Sequence, residues 1–214
     1  AGSNVVLERC EWLRNDIPYL ELNGGSFVVS HCIFPSALPG TYFEAIHGLG
    51  APPAGGRAII RDSFFGRMNG YNDVIDFTGG NRPGTILQLY SNVFVGADDD
   101  IVDLDGTDAW IEGNLFMGVH RVGTPDSASA ISGGSALGHT SEITIVGNLF
   151  IDVDQALTAK EGNFYTFLYN TVVDQNSRGS DELPRETREI QPHPHGIALG
   201  VLMKMAKESG PARR

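Results

Sequence analysis

Three observations in the sequence predict an all-β fold, built as a solenoid of stacked repeats. One short pattern recurs at a fixed spacing: Leu87, Leu89, Asn92 and Phe94 make one copy, and Ala109, Ile111, Asn114 and Phe116 the next, 22 residues on. Such a period marks a repeat. Apolar residues alternate ahead of each Asn, which is the signature of a short strand with one buried face. Glycines recur between the copies, at Gly24, Gly48, Gly79, Gly106, Gly133 and Gly162, where they read as turns.

Allowing Ser or Cys at the Asn position extends the pattern across most of the chain. The markers are Cys10, Cys32, Ser63, Asn92, Asn114, Asn148 and Asn170, so three steps are 22 residues and the longer ones carry insertions. Two residues beyond them stand Trp12, Phe34, Phe65, Phe94, Phe116, Phe150 and Val172, an almost wholly aromatic column. Before them stand Val5/Leu7, Phe27/Val29, Ala58/Ile60, Leu87/Leu89, Ala109/Ile111, Ile143/Ile145 and Tyr165/Phe167. A second strand between markers is assigned the inward column Leu22, Ile46, Phe77, Leu104, Ile131 and Ala159.

A repeat this short cannot bury its apolar face alone, whereas stacked copies share one core. Identical markers then sit about 4.8 Å apart, so stacked Asn side chains are expected to bond along the stack. The pattern resembles a right-handed parallel β-helix of the pectin-lyase-like type, with about seven coils over residues 4–173. Residues 174–214 read as an irregular tail: 174–194 is charged and proline-containing, and 197–207 has helical apolar spacing that suits a capping helix. His193 and His195 in this tail are too sparse a pair to specify a metal site.

Composition narrows the function. The net charge of −11 argues against a nucleic-acid partner, which requires a basic footprint. No run is long enough to span a membrane. Cys10 and Cys32 occupy one marker column, and free, packed thiols are preferred there over a bridge. No capping helix precedes the first coil, so further chain or a homodimer through the open solenoid end is expected to cover it. The β-helix resemblance implies a secreted or cell-surface protein.

The densest chemistry lies in the third to fifth coils. Asp73 and Asp100 are expected to stack at the start of neighbouring strands, with Asp98 and Asp99 just before the second. Asp76 and Asp103 form an outward column beside them, and Asp105 follows two positions later. Like charges so close raise one another's pKa. Three readings fit: a carboxylate pair for glycoside hydrolysis, a Ca2+ site offered by Asp76, Asp103 and Asp105, or a solvated acidic face that keeps the solenoid soluble. No cofactor is expected, or Ca2+ alone.

The acids also resemble part of the polygalacturonase signature. Asn72-Asp73 falls where its Asn-Thr-Asp would, Asp99-Asp100 where its Gly-Asp-Asp would, and Lys160 where its lysine would. The resemblance implies that Asp73, Asp99 and Asp100 are catalytic, one protonating the glycosidic oxygen and another activating water. It implies that Lys160 binds the sugar of a polysaccharide or oligosaccharide. Two signature positions depart from the pattern, because Ser127 stands at the histidine and Thr158 at the arginine. Trp110 and His47, both outward, are further candidates for substrate contact, as are Tyr71 and Tyr90. The segment from Val119 to Thr140 is expected to project as a loop and wall a groove. The alternatives are a non-catalytic, calcium-stabilised glycan-binding or scaffold module, and a polysaccharide lyase with Lys160 as base.

Overall fold

The computed structural model describes residues 3–49, 55–80, 82, 84–122, 128–160 and 162–173. Every regular element among them is a β-strand, numbered here in chain order. The first sheet runs β1 (Asn4–Glu8), β3 (Ser26–Ser30), β6 (Ala58–Arg61), β9 (Leu87–Tyr90), β12 (Ala109–Glu112), β16 (Glu142–Val146) and β19 (Phe164–Leu168). The second holds β4 (Ile33–Phe34), β7 (Phe64–Phe65), β10 (Val93–Phe94), β13 (Leu115–Val119), β17 (Leu149–Val153) and β20 (Thr171–Val173). The third holds β2 (Leu20–Glu21), β5 (Ile46–Leu49), β8 (Ile75–Thr78), β11 (Val102–Asp105) and β14 (Ser129–Ala136), with β18 (Gln155–Ala159) pairing β14. The strands of these three sheets pair in parallel, apart from the short hairpin that joins β14 to β15 (His139–Thr140). The described residues are therefore all-β, and three parallel sheets fit a β-solenoid.

Pairing in the first sheet follows the repeat. Leu87 lies beside Ala109, which lies beside Ile143, which lies beside Tyr165. These side chains point inward and are buried. The aromatic column is a continuous stack: Trp12, Phe34, Phe65, Phe94, Phe116 and Phe150 have successive ring centroids 4.2, 4.5, 4.8, 5.0 and 5.0 Å apart. Phe167 ends it at 5.7 Å from Phe150. Val172 keeps the backbone register beside Phe150 but supplies no ring.

The markers bond along the stack. The backbone N–H of Asn92 donates to Asn114 Oδ1 at 2.9 Å, that of Asn114 to Asn148 Oδ1 at 2.8 Å, and that of Asn148 to Asn170 Oδ1 at 2.8 Å. Ser63 continues the ladder toward Cys32 through its own hydroxyl. Both cysteines are free, and their thiols donate weakly to carbonyls two residues back, Glu8 and Ser30. The residue before every marker is left-handed: Arg9, His31, Asp62, Ser91, Gly113, Gly147 and Tyr169 have φ between 51° and 67°. A sharp corner thus delivers each marker inward, although for a residue other than glycine that conformation costs about 1 kcal/mol.

The third sheet departs from expectation in two places. Ile46 pairs with Ile75, and Ile131 with Val102, so both stand two residues away from the assigned column. Gly48 and Gly133 take the places beside Phe77 and Leu104. They are strand residues, not turns. A Cβ on Gly48 would lie 2.1 Å from the Phe77 ring, and one on Gly133 2.6 Å from Ile143 Cδ1, so the missing side chain makes room for large neighbours. Gly24, Gly79, Gly106 and Gly162 do have positive φ and turn the chain. The expected loop from Val119 to Thr140 contains β14 and the β15 hairpin, so much of it is strand. Ser127, the tail from residue 174, its expected helix at 197–207, and His193 and His195 lie outside the described residues.

Candidate functional site

Asp73, Asp99 and Asp100 come together at the start of β8 and β11. One carboxylate oxygen from each lies within 4.8 Å of the others. Asp73 Oδ1 accepts the backbone N–H of Asp100 at 3.2 Å, and Asp100 Oδ1 accepts that of Ser129 at 2.7 Å. Asp99 and Asp100 are buried, with 9% and 8% of their surface exposed. Burial first, and then Asp100, Asp103 and Asp99, push the Asp73 carboxyl well above its ordinary value. Burial also dominates at Asp100, followed by Asp103 and Asp99, and carries it up to about 7. Ser129, rather than Ser127, follows Asp100 in this column, and its hydroxyl bonds Thr158.

A second set lies on the outer face of the third sheet. His47 pairs with Asp76, Asp76 with Asp103, and Asp103 with Ser132. Lys160 Nζ reaches Asp103 Oδ1 at 3.5 Å and Asp105 Oδ1 at 3.4 Å. Burial alone would lower the Lys160 ammonium pKa, but Asp103, Asp105 and Asp100 outweigh it and hold it above the ordinary value. Gly134 makes this contact geometrically feasible, because a Cβ there would lie 2.0 Å from Asp105 Oδ1 and 3.2 Å from Lys160 Cδ. The predicted calcium ligands are thus divided: Asp103 and Asp105 share a lysine, whereas Asp76 faces His47 Nδ1 at 3.3 Å. Burial, then Glu44, raise Asp76 to about 6, with His47 opposing.

An open groove of about 510 Å3 runs beside the carboxylates, lined by Tyr42, Asn69, Tyr71, Asn72, Asp98 and Val122 among others. Asn72 and Asp98 directly precede Asp73 and Asp99 in sequence, so the groove borders the segments that carry the acidic cluster, whose own three aspartates do not line it. Tyr42 and Tyr71 are 65% and 62% exposed. A Cβ on Gly70 would fall 2.3 Å from the Tyr42 ring, which fixes one wall. Asp98 is committed to structure: it pairs with Arg67 and accepts the Gly70 N–H at 2.9 Å.

Other candidates stand apart. Trp110 sits on the first sheet between Gln88 and Thr144, its Nε1 donating to Glu112 at 2.8 Å. Tyr90 shares that sheet and bonds Gln88. His120 is held between Asp152 and Asp154 at 3.1 and 3.0 Å, and His139 lies on the β15 hairpin. Sequence reasoning missed Glu44, whose carboxylate lies 2.6 Å from His47 Nδ1. The i,i+3 spacing was its only signal, and it falls in a segment without strand alternation. Arg67 was missed because its partners Asp98 and Gly118 lie 31 and 51 residues away.

No family model matches the chain, and no solved structure matches it significantly. Among curated proteins, it is 58% identical over 31 residues to the B subunit of the type 2 DNA topoisomerase 6 of Natronomonas pharaonis, covering 14% of this chain and 4% of that one. It is 60% identical over 30 residues to the corresponding topoisomerase chain of Methanococcoides burtonii, covering 14% and 5%. The chain thus spans about a twentieth of the length of these relatives, and so short a likeness defines no family.

Proposed function

We propose that this chain is a carbohydrate-active, right-handed parallel β-helix of pectin-lyase-like type, with about seven coils over residues 4–173, that hydrolyses glycosidic bonds. The observation that carries this reading is the packing of Asp73, Asp99 and Asp100 with two of the three pKa values raised. A carboxyl poised near 7 is protonated often enough at neutral pH to donate to a leaving oxygen. Asp100 is that acid in this reading. Asp99 activates water, and Tyr42 and Tyr71 stack against sugar rings in the groove. Lys160 already has two carboxylate partners and a raised pKa, which suits it to binding and makes it a poor base for a lyase.

A second reading rests on the hydrogen bonds of the same acids. Asp73 and Asp100 each accept a backbone N–H from the next repeat, as the Asn ladder does, which suits a non-catalytic glycan-binding scaffold. Asp100→Asn separates the two, because its amide oxygen still accepts the Ser129 N–H. Reducing-end release from a panel of neutral and uronate oligosaccharides is expected to fall about 100-fold or more in this variant. Binding without turnover in the wild type supports the scaffold, and equal turnover in both proteins eliminates the carboxylate mechanism.

A further inference from the structure

Glu44, His47 and Asp76 converge on one point of the outer face, apart from the buried aspartates. Glu44 Oε2 lies 2.6 Å from His47 Nδ1, Asp76 Oδ2 lies 3.3 Å from the same nitrogen, and all three residues offer ligand atoms within 4.8 Å of one another. Strand register enforces half of this, since His47 and Asp76 are direct partners on β5 and β8. The other half comes from Glu44, two residues before β5. His47 Nδ1 is shut off from water, and neither neighbouring oxygen gives it a hydrogen bond of sound geometry. A buried polar atom without a partner is costly. Lys160 serves Asp103 and Asp105, so it is not the cation that balances Glu44 and Asp76.

We propose that Glu44, His47 and Asp76 form a site for a divalent transition metal, with zinc as the best fit. One nitrogen and two carboxylate oxygens, one atom from each residue, suit borderline ions such as Zn2+. Calcium is disfavoured, because it takes six to eight oxygen ligands. Zinc bonds of about 2.0–2.2 Å at tetrahedral angles place neighbouring donors about 3.3–3.6 Å apart. The His47–Asp76 separation of 3.3 Å meets the lower end of that range already, and the 2.6 Å between Glu44 and His47 has to open by about 0.7 Å, a small rotation of the Glu44 side chain. The metal cancels the two carboxylate charges and completes the orphaned nitrogen. The three side chains are half-buried, between 18% and 33% exposed, so the outward coordination positions remain open to water or to a hydroxyl or carboxylate ligand. The site does not depend on glycoside hydrolysis.

The test is titration of the whole chain, stripped with chelator, with Zn2+ by calorimetry and with Co2+ by visible absorption. One tight equivalent is expected, with Ca2+ at least tenfold weaker. His47→Asn and Asp76→Asn are each expected to weaken Zn2+ binding at least tenfold, and Asp103→Asn to leave it within about twofold. Absence of zinc binding, or wild-type affinity in the His47 and Asp76 variants, overturns the proposal. Should either variant fail to fold, Mn2+ broadening of the His47 imidazole signals in the unaltered protein reads the same contact, and unbroadened signals overturn it.

Discussion

Asp73 Oδ1 accepts the backbone N–H of Asp100 at 3.2 Å, so two carboxylates 27 residues apart in sequence are locked side by side by the strand register. Parallel pairing puts equivalent residues of neighbouring repeats about 4.8 Å apart. Any acid repeated at one position must then meet its copy, and burial prevents water from screening the pair.

The pH dependence of stability follows from this. Asp100 is pushed up to about 7 in the folded chain, whereas an unfolded Asp titrates near about 3.9. Between these values the folded state binds more protons than the unfolded state, so stability falls as pH rises. The penalty is absent below about pH 4 and complete above about pH 7. Asp73, raised in the same direction, adds to it. Urea midpoints should decline from pH 5 to 8, and Asp100→Asn should flatten the decline and be more stable than wild type at pH 8. A wild-type midpoint that rises over this range contradicts the assignment.

Asn114 is the centre of the marker ladder. Its Oδ1 accepts the N–H of Asn92, and its Nδ2 donates to the Leu89 carbonyl at 3.0 Å and to Asn148 Oδ1 at 3.0 Å, with all three asparagines buried. Asn114→Ala strands at least two backbone groups out of reach of water, at about 1–3 kcal/mol each. Chemical denaturation should show a loss of about 3 kcal/mol or more. Asn114→Ser, which copies the natural Ser63 marker, should recover part of it.

The first sheet and the aromatic stack were legible because a period of two residues survives there without interruption. The third sheet was harder. Gly48 and Gly133 occupy inward positions where an apolar side chain was expected, and the volume they leave is filled by Phe77 from the next repeat and by Ile143 and Tyr165. A glycine read locally signals a turn, and only the packed neighbour shows that it is a space-maker. The corners before the markers were equally silent, since five of the seven are Arg, His, Asp, Ser or Tyr. Repeat spacing did place Asp73 beside Asp100. It could not separate Asp98, neutralised by Arg67, from its neighbour Asp99, because ion pairing across repeats leaves no trace in local pattern.

Tyr71 tests the groove. It is 62% exposed and lines the wall nearest Asn72, so its loss should spare the fold. A stacked sugar ring is expected to lose about 1 kcal/mol of binding on Tyr71→Ala, roughly a fivefold rise in Kd. Trp110→Ala, on the first sheet, should change glycan affinity less than twofold. The comparison by calorimetry with one oligosaccharide fixes which face binds, and a larger effect at Trp110 moves the site to the first sheet.

Gly133 and Gly134 are adjacent, and they predict opposite outcomes for the same substitution. Neither has a left-handed backbone, so only space decides. A Cβ on Gly133 meets Ile143 Cδ1 at 2.6 Å and the buried Tyr165 hydroxyl at 3.1 Å, and that hydroxyl also donates to the Gly133 carbonyl at 2.7 Å. Nothing there can retreat, so Gly133→Ala should cost about 1–3 kcal/mol by overpacking. A Cβ on Gly134 meets the end of Asp105, a side chain free to swing outward. Gly134→Ala should therefore cost less than about 1 kcal/mol, the usual worth of a half-exposed ion pair, while severing Lys160 from Asp105. The signature is non-additivity: once Asp105 is alanine, Gly134→Ala has no ion pair left to break and meets only the flexible Lys160 stem at 3.2 Å, so the double variant should equal Asp105→Ala within about 0.5 kcal/mol. Urea unfolding of the four proteins measures it, and full additivity means that Gly134 acts through the backbone and not through Lys160.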